Sequence, residues 1–335
     1  MPNPTSAALV YNQVLTDMSV AYVQDEGRFV ADKVFPVIPC EHQAGQYIKY
    51  NRGDWFRDVA AERAPGTEST GMGYDLDANG TFFNRVYASH FDIDDQTRAN
   101  YREPLDADRD GTKLVTTRLL LRREIAFAAA YFKTGIWTGT PGGGDITGVS
   151  GVPGANQFKQ WDQAGSTPIE DITNELLAMG QLTGFEANVL ILAPKVFNVL
   201  KQHPELLDRI KYTSKGVLTS DLIASILTDD NDKPMKVLVA KGIQNTAQKG
   251  VADAMAYIYP KAALLAYAAP SPAIMEPSAG YAFGWTGYEG AQAYAPAISQ
   301  FRMQHLKADR VEGEMAFDLE LVASDLGAYF TAAVS

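Results

Sequence analysis

The stretch "LDADRDGTKLVTTRLLLRREIAFAAAYFKTGIW", residues 105–137, decides how the chain folds. Its head puts Asp106, Asp108, Asp110 and Gly111 at positions 1, 3, 5 and 6 of a calcium-loop pattern. Such a loop needs a bidentate Glu at position 12, and Thr117 stands there. The residues after Gly111 run for more than twenty positions without a helix breaker. Leu114, Leu121, Ile125, Ala128 and Phe132 recur at helical spacing as one apolar stripe, with Arg118, Arg122 and Lys133 on other faces. Asp108 and Asp110 are therefore expected to cap a helix over about 108–137, accepting first-turn N–H groups at its positive end. A helix of that length suits a spine across a flat subunit.

The flanks differ in kind. Residues 1–45 read as an arm: "SAALVYNQVLTDMSVAYV" holds a turn or two of helix, and Pro36 and Pro39 make "FVADKVFPVIPC" extended. Residues 46–95 carry strand-like "QYIKYN" and "TFFNRVYASHFDI" around a charged, glycine-rich middle. A two-stranded excursion of this kind is poorly stable alone in water. The middle offers little apolar surface to its own chain, so Arg52, Asp54, Trp55, Phe56, Arg57, Asp58, Glu62 and Arg63 are expected to contact another subunit. Residues 96–166 contain the spine and the segment "TGTPGGGDITGVSGVPGANQFKQW", which reads as a surface loop because it lacks the Gly-Lys-Ser/Thr ending of a phosphate cradle.

Residues 167–298 read as a compact α/β unit with a mixed sheet. Thr167, Pro168 and Glu170 open a helix as a capping box, whose buried stripe is Ile169, Ile172, Leu176 and Met179. "NVLILAP", "KVLVAKG", "AMAYIYP" and "ALLAYAA" are strands, and "KVFNVLKQH" and "SDLIASIL" are helices. Residues 299–335 form a long hairpin turning at "KAD" and packing under the spine. The fold class is α+β.

Composition excludes several functions. With 40 acids against 29 bases the net charge is -11, which opposes sequence-specific binding to polyanionic DNA. A single cysteine, Cys40, excludes an intrachain disulfide and a cysteine-rich metal site. His42, His90, His203 and His305 are scattered, and no HExxH or GxSxG motif occurs. The cluster Asp92, Asp94 and Asp95 reads as solvated carboxylates, and the Arg52–Gly53–Asp54 tripeptide as a chance match to an integrin motif. No secretory signal and no membrane-spanning run is seen. No catalytic residue, metal site or cofactor is expected.

The order of these segments resembles the HK97-like major capsid proteins of tailed bacteriophages. "VADKVFPVIP", "QYIKYNRGDWFRDVAAERAPGTES", "GYDLD", "LLLRREIAFAAAYFKTGIW" and "KADRVEGEMAFDLELVASDLGAYFTAAV" carry the resemblance over nearly the whole chain. It implies an N-terminal arm (1–45), an extended E-loop hairpin (46–95), a peripheral domain with the spine helix (96–166), an axial domain (167–298) and a C-terminal hairpin returning to the peripheral domain (299–335). It implies a virion shell built through pentamers and hexamers around double-stranded DNA, with portal, scaffold and cement proteins as further partners. No Lys–Asn isopeptide site of the family matches here. A nanocompartment shell protein of the same fold, enclosing protein cargo, is the alternative; a cytosolic enzyme or metal-binding module is the third reading.

Overall fold

The computed structural model describes residues 28–50, 52–100, 106–210, 219–227, 235–273, 275–288 and 290–335. The helix expected within residues 6–23 lies outside them.

The spine helix runs Ala107–Tyr131, 25 residues and about 37 Å. Its cap is Asp106, one turn position earlier than expected: Asp106 has extended backbone and its carboxylate accepts from the N–H groups of Asp108 and Arg109. Asp108 and Asp110 lie inside the first turn, where their charge complements the helix end. The far end also comes sooner than 137. Phe132 leaves helical geometry, Gly135 turns at φ 78°, and the buried Trp137 folds back so that its Nε1–H donates to the Tyr131 carbonyl at 2.8 Å. That indole satisfies a carbonyl that helix ends leave open.

The buried face differs from the expected stripe. Val115, Leu119, Leu120, Phe127 and Tyr131 are buried together with Gly111, Thr112, Thr116, Arg123 and Glu124, while Leu114 is 39% exposed. Thr112 and Thr116 hide among the core positions by donating to carbonyls one turn back, at Asp108 and Thr112. A pattern read from leucines alone therefore lands one row away from the true face.

Two sheets carry the rest. In the first, β1 (Val37–Cys40) runs parallel to β12 (Gly280–Trp285), which pairs antiparallel with β14 (Ala308–Leu321). β13 (Ala297–Met303) lies along the same side of β14, and β4 (Arg85–Asp94) along the other in an unbroken register from Asp94↔Ala308 to Arg85↔Phe317. The first half of the spine packs on this sheet at two glycines. A Cβ on Gly111 would stand 2.8 Å from Phe91, and one on Gly313 2.5 Å from Val115, so both must lack a side chain for the layers to close. Ile93, Val115, Leu119, Ile298, Val311, Met315 and Phe317 form the core between them.

The second sheet is ordered β6 (Gln157–Lys159), β5 (Ile146–Val149), β15 (Gly327–Thr331), β11 (Ala263–Ala266), β7 (Val189–Leu192) and β8 (Lys236–Val239). It mixes parallel and antiparallel pairs, as its irregular strand rhythm suggests. Its central strands "VLIL" and "ALLA" are buried at every position, which requires cover on both faces. Helices Pro168–Thr183, Pro194–Leu200, Pro204–Ile210 and Ser220–Ile226 belong to this part of the chain, and Ile169, Ile172, Met179, Val196, Phe197 and Leu200 enter its core. The spine's last turns, Phe127 and Tyr131, enter the same core, so one helix joins both layers. β9 (Ile243–Asn245) and β10 (Met255–Tyr257) make a separate small pair.

Three further expectations change. Thr167 precedes the helix with Pro168 at N1 but makes no side-chain cap; Glu205 instead accepts from the Ile169 N–H at 3.3 Å. The glycine-rich segment after Thr138 is not merely a loop, because it supplies β5 and β6 to the second sheet. The tail is more than a hairpin, because β15 leaves β13–β14 and inserts beside β11. Residues 146–159 thus join the layer formed mainly by 167–266.

Candidate functional site

β2 (Ala44–Tyr50) and β3 (Leu76–Phe83) form an antiparallel hairpin outside both sheets. Its foot rests on the first sheet through rings: Phe82 stacks on Phe283 with centroids 4.4 Å apart and 4° between planes, and Tyr47 stacks on the same ring at 5.7 Å. The Phe83 N–H donates to Asp318 Oδ2 at 2.8 Å. Beyond β2 the chain makes one short helix, Arg52–Trp55, and then runs without regular structure to β3.

All eight expected contact residues lie in this tip. Arg52, Trp55, Phe56, Arg57, Asp58, Glu62 and Arg63 are exposed and Asp54 is half-buried. Trp55 is 52% and Phe56 65% exposed, unusual for rings of that size. The tip is not wholly without its own partners. Tyr50, Trp55 and Tyr74 meet at ring distances of 5.9–6.1 Å. Asp54 accepts from the Asp75 N–H at 3.0 Å, Arg52 pairs with Asp325, and the Phe56 ring comes within 3.1 Å of where a Cβ on Gly184 would stand. The expectation that this segment finds nothing in its own chain is therefore corrected: it is braced at foot and tip, and its large rings remain half in solvent.

A second constellation was not legible beforehand. Glu124, on the buried face of the spine, accepts from the N–H groups of Val30 (3.0 Å) and Ala31 (2.9 Å) and from the Tyr259 hydroxyl (2.6 Å). Those amides open the short helix Ala31–Val34 at the root of the arm. Burial pushes the Glu124 carboxyl up, and the three hydrogen bonds and Arg123 act against that rise. Arg123 donates to the Tyr294 carbonyl at 2.9 Å, lies 3.5 Å from Asp32 and stacks over the Tyr294 ring. Adjacent Arg and Glu inside an apolar run, in "LLLRREIAF", were the available signal.

Charges also lock the sheet edge to the spine. Arg310 grips Asp92 with two hydrogen bonds (2.7 and 2.9 Å) and Arg302 grips Asp95 likewise (2.6 and 2.7 Å). Arg98 bridges Asp309 and Asp108, and Gln300 reaches Asp108 at 2.9 Å. The expected solvated cluster is thus a paired one at Asp92 and Asp95, whose carboxyls these arginines hold below the ordinary value. Asp106 and Asp108 are likewise committed to protein partners.

One Ser–His contact resembles a catalytic dyad. Ser166 Oγ lies 3.0 Å from His203 Nε2, but His203 Nδ1 accepts from the Glu205 N–H at 3.3 Å. That fixes the proton on Nε2, which donates to Ser166, while Ser166 donates to the Gln163 carbonyl at 2.8 Å. A histidine so protonated is no base for the serine. Among the described residues no group of three or more His, Cys, Asp or Glu is placed to hold a metal ion, and no helix is long and apolar enough to cross a membrane.

No protein-family model matches the chain. It is 26% identical over 227 residues to the major capsid protein of Burkholderia phage BcepMu, covering 66% of this chain and 67% of that one. Among solved structures it is similar to a phage-related protein from Bordetella bronchiseptica RB50, with TM-score 0.70, 18% identity, and 97% and 98% of the two chains covered. It is similar to the capsid of cyanophage P-SCSP1u, with TM-score 0.57, 13% identity, and 90% and 88% covered. The SrpI encapsulin of Synechococcus elongatus shares the fold at TM-score 0.53, 12% identity, and 98% and 92% covered. Spine helix, projecting hairpin and paired sheets give the chain the HK97-like fold of these phage capsid structures, and in sequence it is similar to a phage major capsid protein.

Proposed function

We propose that the chain self-assembles through pentamers and hexamers into the icosahedral shell that encloses the double-stranded DNA of a tailed bacteriophage. The observation that carries this is the projecting hairpin, which keeps Trp55 and Phe56 half in solvent on a braced support. Large rings held out in this way suit a recurring contact between subunits. Residues 28–45 are then the root of the arm, β2–β3 the E-loop, the spine with the first sheet the peripheral domain, and the second sheet with its helices the axial domain. The role is structural, with no chemistry assigned to any side chain. A net charge of -11 suits a container whose DNA is driven in rather than bound. A portal, a scaffold and a cement protein are proposed partners.

The encapsulin neighbour supports a second reading, a compartment around protein cargo. Electron microscopy of purified particles separates the two: packaged DNA and a portal vertex mark the virus, protein cargo without DNA the compartment. Deleting residues 54–70 should leave a folded subunit that closes no shells. Shells of normal size and stability from that variant would remove the hairpin from assembly.

A further inference from the structure

A groove of about 560 Å³ opens between the foot of the hairpin and β14. Gln46, Thr81, Phe82, Arg85, Asp318 and Glu320 are among its walls. We propose that this groove seats the Arg57 guanidinium of a second copy of the chain against Asp318 and Glu320, a contact that rests on the shell reading above.

The receiving side holds two neighbouring carboxyls, Asp318 and Glu320. Asp318 is already turned to the Phe83 and Leu319 N–H groups, and Glu320 hydrogen-bonds it side by side. Burial first, and then the Asp318 charge, push the Glu320 carboxyl up to about 7, although Lys49 acts against that rise. Arg85 in the wall and Lys49 on β2 are the nearby cations, and neither makes an ion pair with Asp318 or Glu320 among the described residues. Two neighbouring carboxyls facing an open groove fit a planar, forked guanidinium better than a point charge.

The donating side has a cation to spare. Arg52 is held by Asp325, and Arg63 donates to the Thr67 carbonyl. Arg57 is different: its side chain is 72% exposed, and Asp54, itself tied to Asp75, stands 3.7 Å away. Arg57 cannot serve its own groove. The groove lies at the Ala44–Gln46 end of β2 and Arg57 beyond the Tyr50 end, with four residues of strand, about 13 Å, and the short helix Arg52–Trp55 between them. Only another copy can bring the two together. The neighbouring Phe56 then meets the groove's aromatic wall at Phe82 and Phe83.

The test has two arms on assembled full-length particles. In a Cys40→Ala background, Arg57→Cys combined with Glu320→Cys should give, on mild oxidation, a ladder of multimers that reductant abolishes; neither single cysteine should give more than a dimer. Separately, Arg57→Glu and Glu320→Arg should each cut particle yield about tenfold or more, and the double variant should recover most of it, as expected for a charge pair that sets register. Thermal unfolding of the dissociated variants checks that each subunit still folds. No ladder from the double cysteine, or charge swaps that leave yield unchanged or fail to rescue each other, would overturn the groove contact while wild-type shells stand. Absence of closed shells from the wild-type chain would instead overturn the shell reading itself.

Discussion

Glu124 accepts a 2.6 Å hydrogen bond from the hydroxyl of Tyr259, a residue 135 positions away, and the same carboxylate holds the Val30 and Ala31 amides. One side chain on the spine therefore ties together the root of the arm and the second core. Residues 30–34 are thus fixed on the spine by a buried acid as well as by apolar packing. Buried carboxylates are costly unless every lone pair is used, and here three donors converge on one.

Glu124→Ala should accordingly lower subunit stability by about 3 kcal/mol or more, since it strands two buried amides and a hydroxyl. Tyr259→Phe removes only one donor to a charged group and should cost about 1.5–3 kcal/mol. Denaturant unfolding of the dissociated subunit measures both. Equal small losses for the two variants would show that the arm root is held by Val30, Ala31 and Val34 packing instead.

The true cap of the spine separates from its neighbours in the same assay. Asp106→Ala should cost about 1 kcal/mol, because its carboxylate serves two first-turn amides. Asp110→Ala should cost a few tenths of that, as a charge near the helix end with no cap geometry. A larger loss at Asp110 than at Asp106 would restore the later cap.

How far these features were legible depends on the kind of signal. The spine, the hairpin strands and the VLIL and ALLA strands each follow from a local period, and each lies where that period puts it. The spine's buried face did not follow, because Thr112 and Thr116 bury their hydroxyls on carbonyls one turn back, and Arg123 and Glu124 are satisfied by partners far away in the chain, such as Tyr294 and Val30. The cap slipped because three aspartates at alternate positions look alike until backbone angles choose Asp106. β5 and β6 were missed because strands of four and three residues among glycines have too few positions to show alternation; β15 creates them by pairing with β5, which in turn pairs with β6. All eight hairpin residues sit in one exposed tip, but Arg85, Asp318 and Glu320 meet beside its foot only after β14 has paired with β4.

The second core carries an acid pair with a readable pH signature. Asp171 and Glu175 lie one turn apart on helix Pro168–Thr183, half-buried; burial first, and then neighbouring carboxylates, push them up to about 6 and about 7. Trp161 Nε1–H donates to Asp171 at 3.0 Å and pulls its value back down. A carboxyl raised in the folded state binds its proton more tightly there than in the unfolded chain, so stability is fullest below the ordinary carboxyl value and falls as pH rises from about 4 to 7. Glu175→Gln should therefore be nearly neutral at pH 4 and stabilising by about 1 kcal/mol at pH 8, a figure reduced for solvent screening of a half-exposed group. Melting temperatures across that range test it; a destabilising effect at pH 8 would mean that the Glu175 charge has a partner.

Trp55 has two tasks in the hairpin, and they are separable. It braces the tip through Tyr50 and Tyr74, and it presents half its surface outward. Trp55→Ala should lower the melting temperature of assembled particles while leaving that of the dissociated subunit within a degree or two, since the tip contributes no core. Trp55→Phe, which keeps a ring for Tyr74, should lie between. If particle and subunit melting both stay at wild-type values, the ring is outside any contact.

What closes the shell should be non-covalent. Cys40 is the single cysteine of the chain, placed at the end of β1 against β12, and its thiol is raised by burial, which lowers its reactivity. A disulfide mesh needs two thiols in each subunit, one for each neighbour, so one cysteine can at most make isolated dimers. The chain carries no lysine and asparagine in the pattern of the family's isopeptide site. Closure then rests on buried apolar area and on the interlocking of arm and hairpin, and heat with detergent should undo all of it. Particles boiled in detergent should run as one band near the 36.5 kDa chain mass, with or without reductant. A dimer band that disappears with reductant would place Cys40 at a contact between subunits. A ladder that survives reductant would reveal a covalent bond between side chains, and mass spectrometry of the linked peptides would name them.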